Sequence, residues 1–229
     1  MTAADKALKA ARKVCRRVAL AHYENFPVGR FGVRKDARPD IHAIYAFARI
    51  ADDFADEPAY DGKRLELLEG WEKRLETCWH QPSEHPVFLA LGDAIKRRNL
   101  PLEPFRDLLS AFKQDAVKQR YETWDELLDY CKRSANPVGR LVLLVTGQSA
   151  PELLGMSDAL CTGLQLANFW QDLSVDLPRG RCYVPRADAA AGFRVDVEAL
   201  VRGEAQEGLG ALIEELAGRT GAFFETARP

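Results

Sequence analysis

Two carboxylates placed one helical turn apart are the first feature of this sequence that could do chemistry. Asp52 and Asp56 close a helix predicted over residues 40–56. At a spacing of four they share one helix face, about 5–6 Å apart. Like charges there oppose each other, and the negative end of the helix dipole adds to the cost. The arrangement suggests a hard counter-ion such as Mg²⁺, which takes carboxylate and phosphate oxygens. A solvated acidic helix end remains the alternative.

A second polar row supports the metal interpretation. Asn168, Asp172 and Asp176 recur every four residues on a helix predicted over 157–176, and Gln165 lies one turn earlier on nearly the same face. The rest of that helix is largely apolar, so burying the row without partners would cost several kcal/mol. Two such rows facing each other across a cavity would form a Mg²⁺–diphosphate clamp. A di-iron bundle is disfavoured, because no histidine supplies the required Glu-x-x-His pairs.

The elements that must position these rows are predicted to be helices. Apolar residues recur every three to four positions, and no convincing strand is found. We expect helices over 3–22, 40–56, 62–79, 86–98, 102–116, 123–135, 138–147, 157–176 and from 204 nearly to the end. Thr123 followed by Glu126 predicts a capping box, and 138–147 is apolar enough for a buried central helix. Residues 186–203 look irregular, with one short helix. Without repeats or linkers, residues 1–229 are predicted to form a single all-α domain.

The overall composition narrows the classes of function. A net charge of −2 disfavours nucleic-acid binding, which depends on a basic surface. Five scattered cysteines without a C-x-x-C pair indicate reduced thiols, and no segment suits a signal peptide or a membrane span. We therefore expect a soluble cytoplasmic protein, at most peripheral to a membrane. Asp115 and Arg120 near a helix end are predicted to form a surface ion pair.

Two motifs together resemble the squalene/phytoene synthase family. YAFARIADDFADE (45–57) is similar to its first aspartate motif, and LQLANFWQDLSVDLPRGRCYVP (164–185) to its second motif with the following Arg-x-Tyr-x-Pro. The similarity runs from about residue 22 to the chain end. It implies an all-α isoprenoid-synthase bundle around a central cavity, a prenyl diphosphate substrate and Mg²⁺ held by the two rows. Family members usually continue for several more tens of residues, so we expect this chain to lack the family's C-terminal helices.

Narrower similarities point to a branch of that family. HYENFPVGRF (22–31), SANPVGRLVL (134–143) and NFWQD (168–172) resemble the bacterial hopanoid branch, which converts presqualene diphosphate and water to hydroxysqualene and diphosphate. Condensing relatives usually carry arginine just before the first aspartate of the second motif, where this chain has Gln171. Head-to-head condensation of two prenyl diphosphates stays the alternative within the family. A non-catalytic helical member acting as an assembly factor is disfavoured, because the aspartates are retained.

The resemblance also implies roles for individual residues. The metal ligands would be Asp52, Asp56, Asn168, Asp172 and Asp176, which with Tyr45 form the catalytic set. The predicted substrate-binding residues are His22, Asn25, Phe26, Arg49, Gln165, Arg181 and Tyr183. A salt bridge to its own acidic neighbours is the alternative for Arg49. Candidate residues for the pocket wall are Phe26, Tyr45, Phe47, Val138, Leu141, Val142, Val145, Leu164 and Phe169, although for each of them taken singly a place in the plain core is the favoured alternative. Handover to other squalene-pathway enzymes is a further expectation.

Overall fold

The computed structural model describes residues 2–21 and 34–228, and within them the chain forms helices and no strand. The helices are α1 (Ala3–Ala21), α2 (Arg38–Asp56), α3 (Arg64–His80), α4 (Pro86–Arg98), α5 (Glu103–Asp115), α6 (Trp124–Ser134), α7 (Asn136–Val145), α8 (Pro151–Gln171), α9 (Leu173–Asp176), α10 (Arg186–Phe193), α11 (Val197–Val201) and α12 (Leu209–Thr226). Short 3₁₀ turns follow α2 at Pro58–Tyr60 and α9 at Leu177–Arg179. The all-α prediction is therefore confirmed.

The chain divides into two compact units. Unit 1 comprises residues 1–116 and 140–149, and unit 2 comprises 117–139 and 150–229. The boundary falls within α7, so each unit is built from two separate stretches of sequence. The assignment of residues 1–229 to one domain stays a prediction.

Unit 1 is organised around the apolar face of α2. Phe47 is fully buried and meets the rings of Trp71, Phe88 and Phe105 at centroid distances of 6.3, 6.0 and 5.6 Å. The indole N–H of Trp71 also donates to the carbonyl of Phe47 at 3.2 Å. Phe47 is thus core, which was the alternative to its expected place in a pocket wall.

The start of α2 carries a buried carboxylate. Asp40 is 1% exposed and pairs with the guanidinium groups of Arg97 and Arg98 on α4. Two arginines offset the cost of burying one carboxylate, since an unpaired charge there would be strongly destabilising. The network fixes the N-terminal end of α2 on α4 and leaves the opposite end, with Asp52 and Asp56, at the surface of the unit.

Unit 2 packs α8 against α12 and α6. Gly163 lies beneath Phe223 and Phe224, where a Cβ would come within 3.1–3.3 Å of their side chains. The side chain of Thr162 donates to Asn136 at 2.9 Å, and the indole N–H of Trp170 donates to Thr220 at 2.9 Å. These contacts set the rotation of α8, which carries the second polar row.

Several predicted boundaries needed correction. The eighth helix begins at Pro151 rather than 157, because proline is well suited to a first helical turn. Residues 186–203 hold two short helices, α10 and α11, instead of one. In α7 Pro137, Leu141 and Val145 are buried, whereas Val138, Val142, Leu143 and Leu144 are partly exposed, so the helix is half-buried rather than central core. The capping box is confirmed in part: Thr123 accepts from the Glu126 N–H at 3.2 Å, while the Glu126 carboxylate accepts from the Glu122 N–H at 2.6 Å.

Candidate active site

The first aspartate row, Asp52 and Asp56, occupies the last turn and a half of α2. The helix ends where the Glu57 N–H donates to the Asp53 carbonyl at 2.9 Å. The Asp52 side chain is 38% exposed, and Asp56 is exposed as well. Because the helix is regular up to Asp56, the spacing of four places both carboxylates on one face. The predicted row is therefore present and accessible to a cation.

Arg49 lies one turn before this row and bridges its neighbours. Its guanidinium is 3.4 Å from the Asp52 carboxylate and 2.5 Å from that of Asp53. The Arg49 Nε is buried and has no hydrogen-bond partner among the described residues. Arg49 thus offsets part of the local negative charge, as in the salt-bridge alternative, and one of its donors is left for another acceptor.

Arg64, the first residue of α3, clamps the end of α2. Its guanidinium donates to the Ala55 carbonyl at 2.5 Å and to the Asp56 carbonyl at 3.4 Å, and it pairs with Asp61 at 2.6 Å. The last carbonyls of a helix have no partner within it and form its negative end. A cation bonded to them lowers the cost of keeping two carboxylates there. The role of Arg64 could not be predicted from the sequence, since it depends on how the turn at 57–63 folds back.

Tyr45 precedes Arg49 by one turn and is half-buried. Burial is the main cause that raises the pKa of its hydroxyl above the ordinary value; Arg49 opposes the shift, and Asp52 and Asp53 add to it. Tyr45 therefore stays protonated over the physiological range and can act as a hydrogen-bond donor near the first row.

The second aspartate row, Asn168, Asp172 and Asp176, crosses a break between α8 and α9. Asp172 ends one helix and precedes the next, with φ −91° and ψ 7°. The prediction of one continuous helix over 157–176 is wrong at this residue. The Asp172 N–H still donates to the Asn168 carbonyl at 2.8 Å, and the Asp176 N–H to the Asp172 carbonyl at 2.9 Å. These bonds keep the helical spacing, so the row survives the break.

Exposure differs along the second row. Asn168 and Asp172 are exposed, whereas Gln165 and Asp176 are half-buried. Upstream on α8, Leu164 is 54% exposed, so the helix presents an apolar side chain one turn before Asn168.

Arg181 and Tyr183 follow a turn that is held by the segment preceding α6. The Arg181 N–H donates to the Asp176 carbonyl at 3.0 Å, so the chain folds back on α9 at Gly180, whose φ is 76°. Arg120 donates to the Gly180 carbonyl and to the Glu198 carboxylate. The Cys182 N–H donates to the Gln119 carbonyl at 3.1 Å. Arg181 is half-buried as a result, which a freely solvated loop charge would not be.

Tyr183 is stacked on α8. Its ring lies 3.8 Å from that of Phe169 at an angle of 7°, and Tyr121 and Tyr130 complete the aromatic cluster at centroid distances of 5.6 and 6.1 Å. Stacking of this kind adds about 0.5–1.5 kcal/mol beyond burial. It ties the Arg-x-Tyr segment to the helix that carries Asn168. Tyr121 and Tyr130 were not foreseen, because nothing in their local sequence indicates which ring they meet.

The donor types of both rows fit a magnesium ion. Among residues 2–21 and 34–228 no three His, Cys, Asp or Glu side chains gather as a metal site. Mg²⁺ does not need such a cage, because it is usually held by one or two carboxylates together with substrate phosphates. Asp52 with Asp56, and Asp172 with Asp176, each supply two carboxylates. The role of each residue as ligand stays a prediction.

Three predicted substrate-binding residues, His22, Asn25 and Phe26, lie outside the described residues.

The expectation that Asp115 and Arg120 form a surface ion pair was wrong. Asp115 is 7% exposed rather than at the surface, and Arg120 bonds instead to Glu198 and to two backbone carbonyls. Its position at the end of an amphipathic helix had not revealed on which side the carboxylate lies.

Comparison with known proteins identifies the family. The family model described as squalene/phytoene synthase matches residues 19–229, which include both aspartate rows. The chain belongs to the squalene/phytoene synthase family. The expected extent of the resemblance is confirmed, since the match begins three residues before His22.

Two relatives within the family are named hydroxysqualene synthase. The chain is 42% identical to a hydroxysqualene synthase of Sinorhizobium fredii over 80% of its own length, and 38% identical to one of Rhodopseudomonas palustris over 90%. It spans 61% and 70% of the lengths of those two relatives. A phytoene synthase of Arthrospira platensis is 32% identical over 85% of this chain and is covered over 67% of its length.

Solved structures agree with this fold. A squalene synthase, HpnC, from Alicyclobacillus acidocaldarius superimposes with a TM-score of 0.89 at 40% identity, covering 96% of this chain and 82% of that one. A dehydrosqualene synthase in complex with a ligand gives a TM-score of 0.84 at 26% identity, with coverages of 98% and 78%. The isoprenoid-synthase bundle is therefore the fold of this chain. Within the described residues, no helix is long and apolar enough to cross a membrane.

Proposed function

We propose that this family member converts presqualene diphosphate and water to hydroxysqualene and diphosphate. The proposal rests on one observation: this chain has a higher sequence identity to hydroxysqualene synthases than to a phytoene synthase. The chain is 42% and 38% identical to the two hydroxysqualene synthases described above, against 32% to the phytoene synthase. Gln171, at the exposed end of α8, supports the same choice, because condensing relatives usually place an arginine there.

The two aspartate rows would hold the diphosphate through magnesium. Asp52, Asp56, Asn168, Asp172 and Asp176 supply oxygen donors of the type that Mg²⁺ prefers. When bound there, the metal neutralises charge on the departing diphosphate. Arg49 has an unpartnered buried Nε, and a guanidinium can donate two parallel bonds to phosphate oxygens. Arg181 and Tyr183 would bind the same group from the second motif.

After diphosphate leaves, a carbocation has to be protected from premature attack by water. The apolar and aromatic side chains beside the rows suit this task, since aromatic faces stabilise cations and exclude water. Tyr45, protonated over the physiological pH range, is the group that we propose for orienting the water that finally attacks. Gln165 on α8 and Asn25 complete the polar groups proposed near the substrate.

The decisive experiment compares substrates. Purified protein is incubated with Mg²⁺ and either presqualene diphosphate or farnesyl diphosphate, and the products are identified by mass spectrometry. We expect hydroxysqualene from presqualene diphosphate and no product from farnesyl diphosphate. A hydrocarbon or alcohol formed from farnesyl diphosphate alone would overturn the proposal in favour of head-to-head condensation.

The requirement for metal is tested in the same assay. We expect chelation by EDTA to abolish turnover, and Mg²⁺ or Mn²⁺ to restore it, because both take oxygen ligands. The assembly-factor alternative predicts a different result in cells. It would be supported if variants Asp52→Asn and Asp172→Asn left the cellular function intact.

We further propose a cytoplasmic protein that works at the membrane surface and hands its product to another squalene-pathway enzyme.

A further inference from the structure

The outer face of α1 carries a row of positive side chains. Lys6, Lys9, Lys13, Arg16 and Arg17 are all exposed. At 100° per residue they fall within an arc of roughly 100°, and the row is about 16 Å long at 1.5 Å per residue. Leu20, 47% exposed, continues the same face. We call these five cations the cationic stripe.

The stripe is not part of the ion-pair network of unit 1. Within the described part of the chain, none of its five cations forms an ion pair. Arg12, on the inner side of the same helix, is bonded to Asp93 at 2.7 Å. The one acid of α1, Asp5, is engaged in capping: it accepts from the Thr2 N–H at 2.7 Å, and its own N–H donates to the Thr2 hydroxyl at 3.1 Å. The charges of the stripe are therefore available to a partner.

The stripe also contrasts with the rest of the chain. Residues 3–21 hold six lysines and arginines and one aspartate, a net charge of +5, whereas the whole chain carries −2. Solvated helix faces usually mix both signs, because pairs at a spacing of four add stability. A helix face of one sign in an otherwise acidic protein is typical of contact with an anionic surface.

The inner face of α1 is already buried against other helices of unit 1. Ala11 and Cys15 are buried where the helix packs against α2 and α4. The helix therefore cannot insert an apolar face into a bilayer, and a partner must contact the stripe from outside. A straight row of cations on a helix fixed to a folded unit matches a planar array of negative headgroups, to which each lysine or arginine near the surface adds attraction.

We propose that the cationic stripe docks the protein on an anionic membrane surface. This inference rests on the proposed function, because a product that is almost entirely hydrocarbon has to be delivered to a bilayer. Docking is electrostatic, so it weakens as salt screens the charges over a Debye length of about 8 Å at physiological ionic strength.

The experiment measures co-sedimentation of the whole protein with lipid vesicles, without substrate. Vesicles of phosphatidylcholine with about one third phosphatidylglycerol are compared with phosphatidylcholine alone. We expect binding to the anionic vesicles only, lost at high salt. The variant Lys6→Gln/Lys9→Gln/Lys13→Gln should lower the partition coefficient roughly 100-fold at low salt.

A matched variant removes the same charge elsewhere. Lys63, Lys73 and Lys132 are exposed and lie on or beside α3 and α6, and their triple change to glutamine should leave most of the binding intact. Circular dichroism and thermal melting check that both variants are folded. Equal loss in the two variants, equal binding to neutral vesicles, or tighter binding to duplex DNA than to vesicles would overturn the proposal.

The vesicle experiment can fail without contradicting the proposed function, and the proposed function can fail without contradicting docking. The stripe variant should turn over detergent-solubilised presqualene diphosphate at the wild-type rate, since Lys6, Lys9 and Lys13 belong to neither aspartate row and are not among the residues proposed to bind the substrate. Loss of vesicle binding with turnover intact supports docking. Wild-type protein that binds anionic vesicles yet acts on another substrate would contradict only the proposed function.

Discussion

The two aspartate rows are supported in different ways. The first row stands at the end of one regular helix, and its surroundings are held by two arginines, Arg49 on the acids and Arg64 on the terminal carbonyls. The second row crosses a helix break at Asp172, and the turn that follows it is held by Arg120 and by the stacking of Tyr183 on Phe169. The first row thus depends on the balance of charges close to it. The second row depends on the tertiary contacts made by Arg120 and Tyr183, which we call the clasp.

Two rows with the same carboxylate and amide side chains can therefore be held in place by different kinds of contact. At the first row two like charges meet the negative end of a helix, so cations are required close by. At the second row the helix has already ended at Asp172, and the chain must be folded back to bring Arg181 and Tyr183 close to it. The predictions below separate these two kinds of support.

The largest effect is expected from the ligands themselves. Asp52→Asn and Asp172→Asn should each lower turnover of presqualene diphosphate by roughly 100-fold or more, because each removes the charge of a proposed magnesium ligand. Measured by diphosphate release, the two losses should be similar. Asp53→Asn is the control on the first row, since Asp53 faces Arg49 rather than the row. A loss as large in this control would show that total charge, and not ligation, governs the first row.

Arg120→Met should weaken the clasp at the second row. It removes bonds to the Gly180 carbonyl and to Glu198, at a cost of about 2 kcal/mol in the free energy of unfolding. Glu198→Gln keeps the Gly180 bond and should cost less, partly because Glu198 is 46% exposed. Chemical denaturation measures both. If the two variants were equally destabilised, the carbonyl bond would not be the important contact.

Arg64→Met tests the charge balance at the first row. We expect a loss of about 1 kcal/mol in stability and a higher Mg²⁺ concentration for half-maximal turnover, because the last carbonyls of α2 lose their cation. Titration of Mn²⁺ with inorganic pyrophosphate, followed by electron paramagnetic resonance, should show the same weaker binding. Asp61→Asn keeps the carbonyl bonds and is the control, and Arg64→Lys should restore part of the metal affinity. Unchanged metal affinity in Arg64→Met would limit Arg64 to a structural role.

The smallest expected effect is a loss of local stability at low pH. The guanidinium of Arg186, and then that of Arg120, lowers the pKa of Glu198 below its ordinary value of 4.5. A lowered pKa contributes stability that is present above 4.5 and is lost as the pH falls through the folded value. The protection factors of residues 177–186 against hydrogen exchange should therefore fall in acid, before those of the last turn of α2. Simultaneous loss at both rows would contradict the distinction between them.

The helical class, the family and the spacing of the two aspartate rows could all be predicted from the sequence. Spacings of four on apolar helices fix which side chains share a face, and that relation is local to one helix. It survived at the second row even where the helix breaks, since the backbone bonds from Asn168 to Asp172 and Asp176 persist.

The contacts that support those rows could not be predicted from the sequence, because they form when distant segments pack together. Arg120, Tyr121 and Tyr130 act on residues far from them in sequence, whereas Arg64 reaches back over a short turn to the Ala55 carbonyl. In each case the partner depends on how the turns at 57–63 and 177–183 fold back. Asp115 was misplaced for the same reason, because a helix end does not reveal which neighbour covers it. Periodicity gives the face of a helix, whereas the identity of what packs on that face is a property of the assembled chain.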